Sequence, residues 1–118
     1  MLRIQAPGRI ASDAEMNLEI TEEIMAVRVF IEREIQPGND LKLHNLLMQL
    51  RSRAMLQKGY ITGETLRDVS NPDRFLVIGT WNSLEDWNTW LANPERKALQ
   101  DQLDKLLKTP EKFNVYTY

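Results

Sequence analysis

Two side chains seven residues apart, His44 and Arg51, are the ones whose types could move a proton and hold the charge it leaves behind. An imidazole titrates near neutrality and can serve as a general base, while a guanidinium can stabilise the oxyanion formed. At about 100° of rotation per helical residue, a seven-residue step returns to nearly the same side, so both fall with Met55 on one flank of a helix. That flank lies about 100° from the centre of the apolar face, which suits the rim of a pocket and equally an ordinary solvated edge. Trp81, Trp87 and Trp90 follow within ten residues. Their indoles could wall a cavity for a flat aromatic ligand, stacking on it or donating through the ring N–H. Trp87, one turn from Leu84 and from Leu91, reads as core, whereas Trp90 lies farther off the apolar centre and is the better wall. Tyr60 and Tyr116 read either as aromatics of a subunit interface or as phenol donors to a ligand.

Other chemistries find no support. The chain has no cysteine, which excludes disulfides, thiolate metal sites and cysteine nucleophiles. No carboxylate pair, metal-ligand cluster or serine with a nearby histidine has a telling spacing. Gly8, Gly38, Gly59, Gly63 and Gly79 fit no phosphate or dinucleotide motif, so neither a metal nor a cofactor is expected.

The elements that must position these residues can be read from hydrophobic period and turn chemistry. Ala26 to Ile35 alternates, with Val27, Val29 and Ile31 facing one way, which predicts a half-buried strand. Pro37-Gly38 stops it, and Asn39 or Asp40 can cap the helix that follows. Leu43, Leu46, Leu47, Leu50 and Ala54 recur at three- and four-residue steps, so residues 41 to 55 form an amphipathic helix closed by Lys58-Gly59. Residues 60 to 68 read as a strand interrupted at Gly63, where a bulge or a close backbone approach is expected. Val69 to Asp73 is turn chemistry, so residues 60 to 81 make an antiparallel hairpin whose second strand, Phe75 to Ile78 at its core, is buried on both faces. Ser83 caps the next helix through the N–H of Asp86, with Glu85 and Asp86 at the positive end of its dipole. Asn93-Pro94 breaks that helix and starts a new segment whose stripe is Leu99, Leu103 and Leu106. Lys112 to Tyr118 alternates as a last strand.

With 118 residues and 42% apolar content the chain can build one core, hence one domain. Its formal net charge of −2 conceals a split: residues 1–25 carry two basic and five acidic groups, the remainder thirteen and twelve. No basic stripe marks a nucleic-acid surface. No apolar run reaches the roughly 20 residues of a membrane span, and the start lacks the apolar core of a signal peptide, so a soluble cytoplasmic protein is expected. Residues 1–25 show no sustained period and read as an N-terminal extension to the domain at 26–118. Met16 lies close enough to the patterned region to be an alternative translation start.

The order strand, helix, strand, strand, helix, strand is the ferredoxin-like split β-α-β pattern, an α+β fold with a four-stranded antiparallel sheet and its helices on one face. Phe30, Tyr60, Leu66, Leu76, Ile78 and Tyr116 then need cover on the other face, which predicts a homodimer with its sheets back to back about a twofold axis.

The strand at 26–35, Gly59 opening the second strand, the run Gly79-Thr80-Trp81-Asn82-Ser83 and the helix broken at Asn93-Pro94 resemble the antibiotic biosynthesis monooxygenase domain over residues 26–118. The resemblance implies a dimeric α+β barrel with a pocket in each subunit between sheet and helices. It leaves the chemistry open, since the family spans cofactor-independent oxygenases, haem-degrading enzymes and an isomerase. Many members carry a histidine nine residues after the strand-terminal tryptophan and another just after the helix-breaking proline, where this chain has Trp90 and Glu95. The haem-degrading branch shares the tryptophan but has a haem-ligating histidine ten residues later and an asparagine in the first strand. Here those places hold Gln100 and Ile31, and Gln100 cannot replace an imidazole on iron. The resemblance therefore implies a cofactor-independent monooxygenase acting on a small quinol or polyketide-like aromatic. In it His44 would be base or oxyanion donor, Arg51 the electrostatic stabiliser, and Trp81, Trp90 and Tyr60 the ligand contacts. The alternative is a dimeric module that binds an aromatic or haem-like ligand without turnover.

Overall fold

The computed structural model describes residues 25–118. The extension before residue 25, Met16 included, lies outside the described residues. The elements run β1 (Val27–Glu34), α1 (Asp40–Ala54), β2 (Tyr60–Arg67), β3 (Arg74–Trp81), α2 (Leu84–Leu91), α3 (Pro94–Asp104) and β4 (Lys112–Thr117). Each strand runs antiparallel to its neighbours in the order β2-β3-β1-β4, the ferredoxin-like arrangement.

Local chemistry explains the boundaries. Ser83 Oγ accepts from the N–H of Asp86 and so caps α2, as its sequence requires. Asn93 Oδ1 accepts from the N–H groups of Glu95 and Arg96, and Pro94 fills the first position of α3, so one apolar stretch becomes two helices. Asn39 stands at the N-cap of α1 without a side-chain hydrogen bond. Gly59, at φ +85°, turns the chain into β2, and its carbonyl accepts from the N–H of Asn82 at 2.7 Å. A Cβ at Gly59 would lie 2.1 Å from an oxygen of the Asp86 carboxylate, so both the backbone angle and the approach of α2 require glycine.

The pairing registers set side chains in transverse rows across the sheet's helical face. Arg67, Phe75 and Arg33 form one row, and Thr65, Val77, Ile31 and Phe113 the next. Gly63, Gly79, Val29 and Val115 follow, and Tyr60, Trp81, Val27 and Thr117 end the series. Leu43, Leu46 and Leu50 of α1, Trp87 and Trp90 of α2, and Leu99 and Leu103 of α3 close over the β1 side of these rows to make the core. By area alone a buried Leu of this kind contributes roughly 2 kcal/mol relative to exposure.

Two expectations need correcting. Tyr60 does not belong to the uncovered face. The register slips between Tyr60 and Thr62, so a bulge at Ile61 swings the tyrosine to the helical side, edge-on to Trp81 at 5.5 Å. At Gly63, of the two expected alternatives, the structure has the close approach: a Cβ there would sit 2.7 Å from the Tyr60 hydroxyl. Nor, within one chain, is β3 buried on both faces, since Leu76 and Ile78 are half-buried on a sheet face that no described element covers. On that face Phe30 meets Tyr116 edge-on at 5.3 Å, and Arg28 lies over the Phe30 ring.

Candidate functional site

The row pattern leaves a hollow between the sheet and its helices. Gly63 and Gly79 stand side by side on β2 and β3 and put a strip without side chains in the floor, while Val27, Val29 and Ile31 of β1 are buried in the core. The result is a cavity of about 530 Å³, of the size that holds a drug-sized ligand. His44, Arg51, Tyr60, Trp81 and Trp90 all border it, so the structure brings together the residues singled out by type and spacing.

Their geometry differs from one to the next. Trp81 and Trp90 stack at 6.5 Å between ring centroids and 22° between planes, and Trp87 lies 5.9 Å from Trp81 at 60°. Trp81 and Trp90 are 2% and 5% exposed, so each shows the cavity only a narrow strip of indole. Trp81 directs its ring nitrogen over the glycine strip, 3.5 Å from where a Cβ of Gly79 would be. Trp87 was expected in the core; it is there, and it borders the cavity as well. Arg51 donates to the carbonyl of Gly63 at 3.2 Å and so spans the mouth from α1 to β2. His44 is exposed, and seven residues at about 1.5 Å rise place it some 10 Å back along α1, toward the Arg33 end of the cavity. Tyr60 keeps its ring against Trp81 and its hydroxyl above Gly63.

Arg33 and Arg96 escaped the sequence reading. Both border the cavity, and they are 8% and 6% exposed. One carboxylate, Glu111, itself buried, stands between them: Arg33 Nε donates to its Oε2 at 2.6 Å, and Arg96 Nη2 lies 3.9 Å from its Oε1. Burial above all holds the Arg96 pKa below its ordinary value, with Glu111 opposing that effect and Arg33 adding to it. A signal for both was present in the pattern. Arg33 continues the buried parity of Val27, Val29 and Ile31, and Arg96 continues the stripe of Leu99 and Leu103 at a three-residue step. Arg67, over the Phe75 ring at 4.8 Å, completes the basic row. Among the described residues no group of three His, Asp or Glu stands close enough to hold a metal ion. Among them, too, no helix is long and apolar enough to cross a membrane.

The chain's likeness to known proteins agrees with this architecture. The family model for antibiotic biosynthesis monooxygenase matches residues 26–102. A conserved protein of Methanosarcina mazei Go1 superposes with a TM-score of 0.74 at 18% identity, over 80% of this chain and 94% of that one. SnoaB, a cofactor-independent oxygenase of Streptomyces nogalater, superposes in a mutant form with a TM-score of 0.71 at 15% identity, over 79% of this chain and 92% of its own. At such identities the structural likeness speaks for the fold. A comparison with curated proteins finds no match.

Proposed function

The chain belongs to the antibiotic biosynthesis monooxygenase family, and from that premise we propose that it oxygenates a small quinol or polyketide-like aromatic in this cavity without a cofactor. The observation that carries the reading is a hollow of about 530 Å³ with indoles for walls and an imidazole and a guanidinium at its rim.

The chemistry asks little of the protein beyond binding, orientation and one proton transfer. His44 takes a proton from the ring hydroxyl or the acidic ring carbon, and Arg51 stabilises the resulting oxyanion. The anion then passes one electron to dioxygen, and the superoxide and substrate radical join in a C–O bond. The peroxide gives a carbonyl and releases one water. The two hydrogens of that water both come from the ring carbon when it is a CH2, as in an anthrone, and one each from the ring carbon and the deprotonated hydroxyl in a quinol; the substrate supplies every electron, so no external reductant enters the balance. Trp81, Trp90 and Tyr60 contact the ring through the narrow strips that they show the cavity.

Oxygen uptake with a panel of hydroquinones and anthrones tests the proposal. Turnover should fall at least 100-fold in a His44→Ala, Trp90→Phe double variant, as expected on losing a general base. Equal rates for the two proteins would refute the assignment. A second reading, a module that binds an aromatic without turnover, draws on Trp90, which fills a place where an imidazole is usual and stacks on Trp81. Tryptophan quenching by these compounds with no oxygen consumed would favour it. We propose further that the uncovered sheet face, with Phe30, Leu76 and Tyr116, pairs with a second copy of the chain, and a monomer in light scattering at micromolar concentration would refute that.

A further inference from the structure

Two buried guanidiniums that border the cavity share one buried carboxylate, and the share is unequal. Glu111 Oε2 accepts from Arg33 at 2.6 Å and from Gln100 Nε2 at 3.1 Å. Arg96, at 3.9 Å from the other oxygen, is a charge neighbour beyond hydrogen-bond distance. Its guanidinium donates no hydrogen bond to any described residue, although its fork carries five N–H groups. Arg33, Arg96 and Glu111 together leave one positive charge in excess, which the exposed Asp104 offsets only from outside the cavity lining, and Arg67 lies in the same row as Arg33. The two acidic residues that border the cavity, Asp40 and Glu64, are both exposed. Arg96 is also fixed in place: its guanidinium carbon lies 5.8 Å from the centre of the Trp87 ring, and its backbone is held by the Asn93 cap.

We propose that Arg96 is an anion-binding residue and that the aromatic ligand carries a carboxylate which it receives at the Arg33 end of the cavity. A planar fork whose donors are unused among the described residues fits a carboxylate through two parallel N–H bonds, and burial makes that pairing stronger than it would be in water. The charge excess gives a monoanion the complement that Glu111 alone does not supply. Burial and the neighbouring Arg33 both disfavour the Arg96 cation, and an incoming carboxylate offsets both with its opposite charge. The ring of an aromatic acid held there lies beside Trp87 and extends toward the glycine strip. The inference rests on the reading that the cavity binds a small aromatic, and it names the class: an aromatic acid in preference to the neutral compound of the same shape.

Calorimetric titration at pH 7.5 with 2-naphthoate and with its neutral isostere 2-naphthamide separates the two claims. The wild type should bind the acid at least tenfold more tightly than the amide. Arg96→Gln should bring the two affinities within about twofold of one another, and Arg96→Lys, which keeps the charge and loses the fork, should retain a preference between those limits. Equal affinities in the wild type, or an undiminished preference in Arg96→Gln, would overturn the proposal while leaving the cavity an aromatic site. Binding of neither probe would overturn both. The wild-type comparison decides the matter even if a variant fails to fold.

Discussion

Replacing Glu111 by glutamine should cost this domain a large part of its stability. The side chain keeps its shape and one acceptor oxygen, so Arg33 can still donate to it, but the one carboxylate within 3.9 Å of the two buried guanidiniums among the described residues is gone, and only the exposed Asp104 still acts on Arg96. Removing one partner of a buried ion pair typically costs about 3–5 kcal/mol, because the remaining charge has neither water nor counter-charge. The retained acceptor argues for the low end, about 3 kcal/mol. For a domain of this size, 1 kcal/mol moves the melting temperature by roughly 4–8 °C, so the midpoint should fall by roughly 12–24 °C. Thermal unfolding followed by circular dichroism at pH 7 measures it. Adding Arg96→Met removes one of the two stranded charges and should recover part of the loss, with a coupling on the order of 1–3 kcal/mol in a double-mutant cycle. A fall of less than about 4 °C, or strict additivity of the two changes, would mean that cavity water already serves the guanidiniums and that Glu111 is an ordinary surface partner; the charge argument would then fail.

Gly79→Ala should leave the fold intact and narrow the cavity. Its Cβ would meet Trp81 at an ordinary 3.5 Å and its φ is not in the left-handed region, so stability should hold or rise by about 0.5–1 kcal/mol while aromatic ligands bind more weakly. Unchanged affinity in the titration above would show that the glycine strip is not the floor of the ligand site. Asp68, in the turn between β2 and β3, should contribute to stability in a pH-dependent way. Its carboxylate accepts from the Ser70 hydroxyl at 2.7 Å and the Ser70 N–H at 2.8 Å, and these bonds, the hydroxyl first, hold its pKa below the ordinary value. A depressed folded pKa stabilises above the unfolded value of roughly 3.9 and loses that effect as pH falls through the folded one. The melting temperatures of the wild type and Asp68→Asn should therefore differ at pH 7, with the gap closing as pH falls below roughly 3.9, and a gap that does not change with pH would contradict the assignment.

The sequence made the scaffold legible because its boundaries are local chemistry. Ser83 and Asn93 cap helices through bonds to residues two or three positions away, and such signals need no knowledge of the rest of the fold. The strand alternation of β1 was equally readable. What escaped is what depends on tertiary pairing. Whether Tyr60 faces helix or open sheet turns on a one-residue slip against β3, and a slip of one residue reverses the face of a side chain. Among the candidate site residues, His44, Arg51, Trp81 and Trp90 stood out by type. Arg33 and Arg96 stood in apolar registers and were passed over because a charge on such a stripe is easily taken for the edge of it. Glu111, in the connection before β4, carries no local pattern that would name its partners, since Arg33 is 78 residues away.

The same physics ties the stability of this domain to its site. A core built only for stability would put apolar residues at 33 and 96, which sit in the buried parity of β1 and on the buried stripe of α3, and would spare the desolvation of three charges. Instead the chain keeps two guanidiniums there with one carboxylate to hold them, beside a floor of glycines that leaves space unfilled. Each departure removes packing or adds a burial penalty, and all fall around one cavity. Departures from local consistency that cluster in space are expected where a structure is shaped for a ligand. On the proposal made above, that ligand offers a flat apolar ring to fill the space and an acidic group to use the donors of Arg96.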